Sequence, residues 1–123
     1  MSSTFRPGDV NGQLDCLKTL EPNWDSYGAL PIDEKSIQAA REFIARLPPS
    51  TWGVTAVNPT PNGGVQFEWE AGSRSLELEF EAPSTIRYLK SDDEAKIEEE
   101  DSFDIGDIQR AVSLLQWFAS DST

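Results

Sequence analysis

Histidine is absent from all 123 residues. That removes the usual proton carrier near neutral pH, the Ser-His-Asp and Cys-His nucleophile arrangements, and most zinc sites. Cys16 is the only cysteine, so the chain can form no internal disulfide and no CxxC pair. Next to Leu17 on a short helix, it reads as a part-buried structural thiol; a reactive thiolate would need a lysine or a helix N-terminus to lower its pKa. Basic residues are scarce as well, 10 against 22 acids, which leaves a formal charge of −12. Such a charge argues against direct binding to nucleic acid or to an anionic membrane surface, and it favours a basic partner. Long apolar runs are missing too. The start, MSSTFRPGDV, does not read as a signal peptide, and no stretch approaches the roughly 20 apolar residues of a membrane-spanning helix. The expected compartment is the cytoplasm.

What the chain does have is clearest in residues 64–82, GVQFEWEAGSRSLELEFEA. Val65, Phe67 and Trp69 alternate with Gln66, Glu68 and Glu70. Leu76, Leu78 and Phe80 alternate with Glu77, Glu79 and Glu81. This period of two is the signature of half-buried strands. Gly72-Ser73 between them suits a two-residue turn with glycine first. That turn sets Trp69 against Leu76, Phe67 against Leu78 and Val65 against Phe80. On the other side it sets Glu68 against Glu77. Like charges directly opposite each other destabilise a sheet, and this chain repeats acids along one face.

Around the hairpin, residues 9–20 read as a short helix with Val10, Leu14, Leu17 and Leu20 inward, ended by Glu21-Pro22. Asp33 is the expected N-cap of a second helix, with Ile32 and Ile37 as a hydrophobic staple. Its inner stripe is Ile37, Ala40, Ile44 and Leu47, with Phe43 beside it, and Pro48-Pro49 stops it. Residues 51–57, with Trp52, Val54 and Val57, suit a first strand, and residues 58–64 a turn. Residues 85–90 suit another strand with Ile86 and Tyr88 inward. Residues 95–99 suit an acidic edge strand, where charge discourages edge-to-edge pairing. Asp104 is the expected cap of a last helix to about residue 119, with Ile105, Ile108, Val112, Leu115 and Phe118 inward.

Two helices, a run of strands with short links, and a last helix predict an α+β fold. The strands should form an antiparallel meander of four to five, covered on one face by two or three helices, in the order α-α-β-β-β-β-(β)-α. Residues 1–8 should form a flexible arm, 9–119 one domain, and 120–123 a frayed end.

Residues 23–31, NWDSYGALP, then a helix ending in LP, then GGVQFEWE, resemble a group of small uncharacterised bacterial proteins. Those carry an Asn-Trp-Asp-Gly-Tyr-Gly-Ala-like loop and a Gly-(hydrophobic)-x-(hydrophobic)-Glu-Trp strand. Here Ser26 stands where glycine is commoner. The likeness covers roughly residues 17–80 and leaves out the acidic last third. It implies a bacterial origin and a shared fold, and it carries over no functional residue.

The candidate partner-binding residues are Glu68, Glu70, Glu77, Glu79 and Glu81 on the hairpin, and Asp92, Asp93, Glu94, Glu98, Glu99 and Glu100 in the acidic run. Trp24 and Tyr27 are the candidate aromatic anchors. The expected neutralisers are Arg74 and Arg87. No calcium loop is present: DSFDIGD lacks the DxDxDG spacing and the closing glutamate. No phosphate-cradling glycine loop opens a helix either. No catalytic residue, cofactor or metal is expected. The sequence therefore points to a non-enzymatic acidic module that binds a basic protein, in the manner of an inhibitory, antitoxin-like, immunity-like or accessory subunit. Nucleic-acid mimicry, blocking a nuclease or DNA-binding protein, is one alternative. A small hydrolase with a carboxylate pair is another, and a structural subunit whose acidic face is merely wet is a third.

Overall fold

A computed structural model describes residues 7–17, 19–47, 56–82 and 84–119. The elements run α1 (Pro7–Leu17), α2 (Glu34–Arg46), β1 (Ala56–Pro59), β2 (Val65–Ala71), β3 (Arg74–Ala82), β4 (Thr85–Asp92), β5 (Ile97–Asp104) and α3 (Ile108–Ala119). The strands form one antiparallel sheet in the order β1-β2-β3-β4-β5. This is the expected α+β meander with helices before and after it. Residues 1–6 and 120–123 of the expected arm and frayed end lie outside the described residues.

The β2–β3 hairpin has the register that its turn demands: Ala71 faces Arg74, Trp69 faces Leu76, Phe67 faces Leu78 and Val65 faces Phe80. Gly72 adopts φ +59°, which fits glycine as the first turn residue. Phe67, Trp69, Leu76, Leu78 and Phe80 are all buried, and Phe43 of α2 packs edge-on against Phe80, with ring centroids 5.3 Å apart. Leu14 and Leu17 of α1, Ile37, Ala40 and Ile44 of α2, and Ala111, Leu114 and Leu115 of α3 complete the same core. The helices therefore cover the face of the sheet that carries these rings. Among the described residues no helix is long and apolar enough to cross a membrane.

Several boundaries differ from the sequence reading, each for a local reason. α1 ends at Leu17 rather than near residue 20, because the Thr19 N–H and hydroxyl both donate to the Cys16 carbonyl. β1 runs through Asn58 and Pro59, which were expected in a turn. Proline is tolerated there because β1 is an outer strand. Thr60 closes the turn that follows: its N–H donates to the Gly64 carbonyl and its Oγ1 accepts from the Gly64 N–H. Trp52, Val54 and Pro48-Pro49 lie outside the described residues.

The largest difference is β5, which spans Ile97–Asp104 rather than residues 95–99. Its inward positions are Ile97, Glu99, Asp101 and Phe103, and only two of these are apolar, so alternation of hydrophobicity could not show its length. Asp104 consequently ends a strand and does not cap α3. Its Oδ2 accepts from the Gly106 N–H at 2.8 Å, and Asp107 is the cap, accepting from the Arg110 N–H at 3.2 Å. In α3, Leu114 is buried with Leu115, whereas Ile108, Val112 and Phe118, and Ile105 in the turn before the helix, are only partly covered.

Candidate functional site

The register fixes which side chains share the uncovered face. One row crosses four strands as Glu68, Glu77, Leu89 and Glu100. A second runs Gln66, Glu79, Arg87, Ser102, and a third Glu70, Ser75, Ser91, Glu98. Six glutamates thus stand against one cation, Arg87, among the described residues of this face. Neighbouring strands lie about 4.8 Å apart and alternate residues about 6.7 Å, so the carboxylates repel at short range.

Local contacts organise this face without neutralising it. Gln66 Nε2 donates to Glu77 Oε1 at 2.6 Å. Arg87 approaches Glu79 at 3.8 Å, a loose and exposed pairing of little energetic weight. Burial, reinforced by the negative charge of Glu68, raises the Glu77 carboxyl above the usual range. The face also holds an open depression of about 100 Å³, lined by Gln66, Glu77, Glu79, Arg87, Leu89 and Glu100. Leu89, half-buried, is part of that lining. Chemically, this arrangement fits a cationic side chain whose stem lies on Leu89 and whose charged head meets the carboxylates. The sequence reading did not single out Leu89 and Gln66. The alternation of Ile86 and Tyr88 inward already implied Leu89 outward.

Arg74 does not sit on this face. It points to the helix side, where its Nε lies 3.0 Å from Asp92 Oδ2 and its Nη1 donates to the Trp117 carbonyl at 2.7 Å. Lys90 and Arg110 are on the helix side as well. Lys90 Nζ lies 4.5 Å from the Trp117 ring centre, and Arg110 donates to the Tyr88 hydroxyl at 2.8 Å. Three cations of β3, β4 and α3 are thus engaged on the helix side, away from the glutamates of the uncovered face.

The acidic run divides in the same way. Glu98 and Glu100 join the uncovered face, and Asp93 and Glu94 are exposed in the β4–β5 turn. Asp92 is the correction: only 3% exposed, it is an internal structural residue and not a docking one. Its Oδ1 accepts from the Ser73 hydroxyl and from the Glu94 and Ala95 N–H groups, so it ties the two turns together. The hydrogen bonds from Ser73 and Arg74 hold its carboxyl below the usual range. Glu99 also leaves the expected patch. It lies on the helix side and accepts from the Tyr88 hydroxyl at 2.5 Å. Burial, together with Glu99, raises the Tyr88 phenol. The Glu81 side chain lies outside the described residues.

The aromatic loop separates its two candidates. Asn23 and Ser26 adopt positive φ, +64° and +67°, and Gly28 adopts +84°. Asn23 Oδ1 accepts from the Gly28 N–H, and Asp25 Oδ1 from the Tyr27 and Ala29 N–H groups. The loop is anchored to the β1–β2 turn through Leu30 N–H to Pro61 and Asp33 N–H to Gly63. Trp24 is half-buried, donating its indole N–H to the Leu30 carbonyl at 2.8 Å, which makes it a structural plug. Tyr27 is 92% exposed at the tip. It keeps the role of a candidate anchor, on the loop between α1 and α2 and not on the strands that carry the glutamates.

Cys16 is exposed, not part-buried. Among the described residues no group of three or more His, Cys, Asp or Glu side chains is arranged to hold a metal ion. Compared with known proteins, the chain matches no family model, no curated protein and no solved structure.

Proposed function

We propose that this chain is a non-enzymatic binding module that docks a basic protein through the uncovered acidic face of its sheet, as an inhibitory, antitoxin-like, immunity-like or accessory subunit would. The observation that carries the reading is the row Glu68, Glu77, Leu89, Glu100. A sheet face that only met water would be more stable with threonine, glutamine or lysine in place of facing glutamates. Engagement of Arg74, Lys90 and Arg110 on the other side supports the same reading, because it leaves the field of the open face undiluted. The depression is open and not a closed cleft, which favours docking over acid–base chemistry.

The test is affinity capture from the source cell at low salt, with a Glu68→Gln/Glu77→Gln/Glu100→Gln variant beside the native chain. A basic protein retained by the native chain should elute as salt rises. Its affinity for the variant should fall by at least ~10-fold, because screening and neutralisation act on the same interaction. Retention unaffected by both would reject the reading. Competition by duplex DNA for the captured protein would identify a nucleic-acid mimic in place of an ordinary docking module.

A further inference from the structure

The two outer strands of the sheet are unlike. β1 offers four residues, one of them Pro59, whereas β5 offers eight, of which all but Phe103 are exposed. The hydrogen bonds show which main-chain groups of β5 face outward. Ile105 N–H donates to the Ser84 carbonyl, which places the odd-numbered residues in the ladder with β4. Ser102 N–H instead donates to its neighbour's carboxylate, Asp101 Oδ1, at 2.8 Å. An antiparallel ladder alternates, so Glu98 and Glu100 turn their N–H and C=O groups away from β4. Among the described residues no strand lies beyond β5. The main-chain groups of Glu98 and Glu100 therefore face no strand among the described residues, at the spacing an added strand would need.

The side chains along this edge say what could pair with it. Glu98, Glu99, Glu100 and Asp101 are consecutive; Glu98 and Glu100 stand on the uncovered face, whereas Glu99 lies on the helix side opposite Lys90. A second copy of β5 would set these acids against themselves. A neutral strand would find no complement.

We infer that β5 is a docking edge for an extended basic segment of a partner protein, which adds to the sheet as a sixth strand. Main-chain hydrogen bonds to Glu98 and Glu100 would supply affinity, and lysine or arginine on the face of the added strand that continues the uncovered face would supply selectivity. The inference rests on the docking function proposed above and gives that partner a conformation. It also places the added strand beside Glu100, at the end of the glutamate row, so the cations of a bound segment would lie next to that row.

The experiment uses the whole chain and a synthetic octapeptide of alternating lysine and threonine, with amide NMR at low salt. The control is the same peptide with its six central residues N-methylated, which keeps every charge and removes the donors. The expected result is at least 10-fold tighter binding of the unmodified peptide, with shifted and exchange-protected Glu98 and Glu100 amides. Equal binding of both peptides, with shifts centred on Glu68 and Glu77, would overturn the edge mode and leave the acidic-face function standing. Failure of the unmodified peptide to bind would overturn the edge mode as well. Concentration-dependent changes at Glu98 and Glu100 without peptide would assign the edge to a second copy and overturn the basic-segment inference. The acidic-face function fails separately, in the capture experiment, if retention ignores salt and neutralisation.

Discussion

Arg74 and Asp92 face each other across β3 and β4 on the helix side of the sheet, 3.0 Å apart, and both are largely withdrawn from water. The pair joins the Gly72-Ser73 turn to the β4–β5 turn, since Asp92 also accepts from Ser73 and from two N–H groups of its own turn. Arg74→Met should therefore destabilise the chain at pH 7, because it removes the counter-charge of a carboxylate held between the two turns. The folded pKa of Asp92 is depressed, so its stabilisation is complete above the unfolded value of about 3.9 and is lost as pH falls through the folded value. The penalty of Arg74→Met should shrink below about pH 4 for the same reason. Urea unfolding of both chains at pH 7 and pH 3 measures this. An equal penalty at both would show that Arg74 acts through its contacts with Trp117 and not through Asp92.

Glu77 has the opposite sign. Its folded pKa is raised, so its contribution is most favourable below the unfolded value of about 4.3 and is lost as pH rises through the folded value. Glu77→Gln removes the repulsion with Glu68 and can still accept from Gln66. It should stabilise the chain by about 0.5 kcal/mol at neutral pH, with the gain disappearing toward pH 4. Thermal melts across that range decide it. A substitution that improves the fold while weakening partner capture would separate docking from stability at one residue.

The hairpin was legible because three independent signals agreed: alternation, a glycine-first turn, and aromatic rings on one face only. β5 was half-legible because Glu99 and Asp101 occupy its inward positions. What makes acids tolerable there is Lys90 opposite Glu99, and Arg110 with Tyr88 nearby, and those come from β4 and α3. No local pattern contains that information. Asp92 misled because the strand was expected to stop at residue 90: continued by two residues, the alternation of Ile86 and Tyr88 puts Asp92 inward, where Arg74 meets it. The side of the sheet taken by Arg74 was available from its pairing with Ala71, an inward position.

Asp107 and not Asp104 caps α3, and the two can be told apart by mutation. Asp107→Ala should cost about 1 kcal/mol through loss of the bond to the Arg110 N–H. Asp104→Ala releases only the Gly106 N–H in an exposed turn and should cost less. Equilibrium denaturation of the two variants gives the order directly, and the reverse order would return the cap to Asp104.

The aromatic loop yields a test in which stability and exposure diverge. Ser26 holds φ +67°, a region that costs a residue with a Cβ about 1 kcal/mol, and its side chain is exposed. Ser26→Gly relieves that strain but gives the unfolded chain more freedom, so the net gain should be small, about 0.5 kcal/mol. Trp24→Phe removes the donor to the Leu30 carbonyl and should destabilise by about 1 kcal/mol. Tyr27→Ala touches nothing buried and should leave the melting temperature unchanged. Any loss of partner capture in Tyr27→Ala is then a loss of contact, because the scaffold beneath it is intact. If capture survives Tyr27→Ala but falls with the Glu68, Glu77 and Glu100 neutralisations, the partner sits on the sheet alone. Loss in both would require it to reach from the glutamate row to the tip of the loop between α1 and α2.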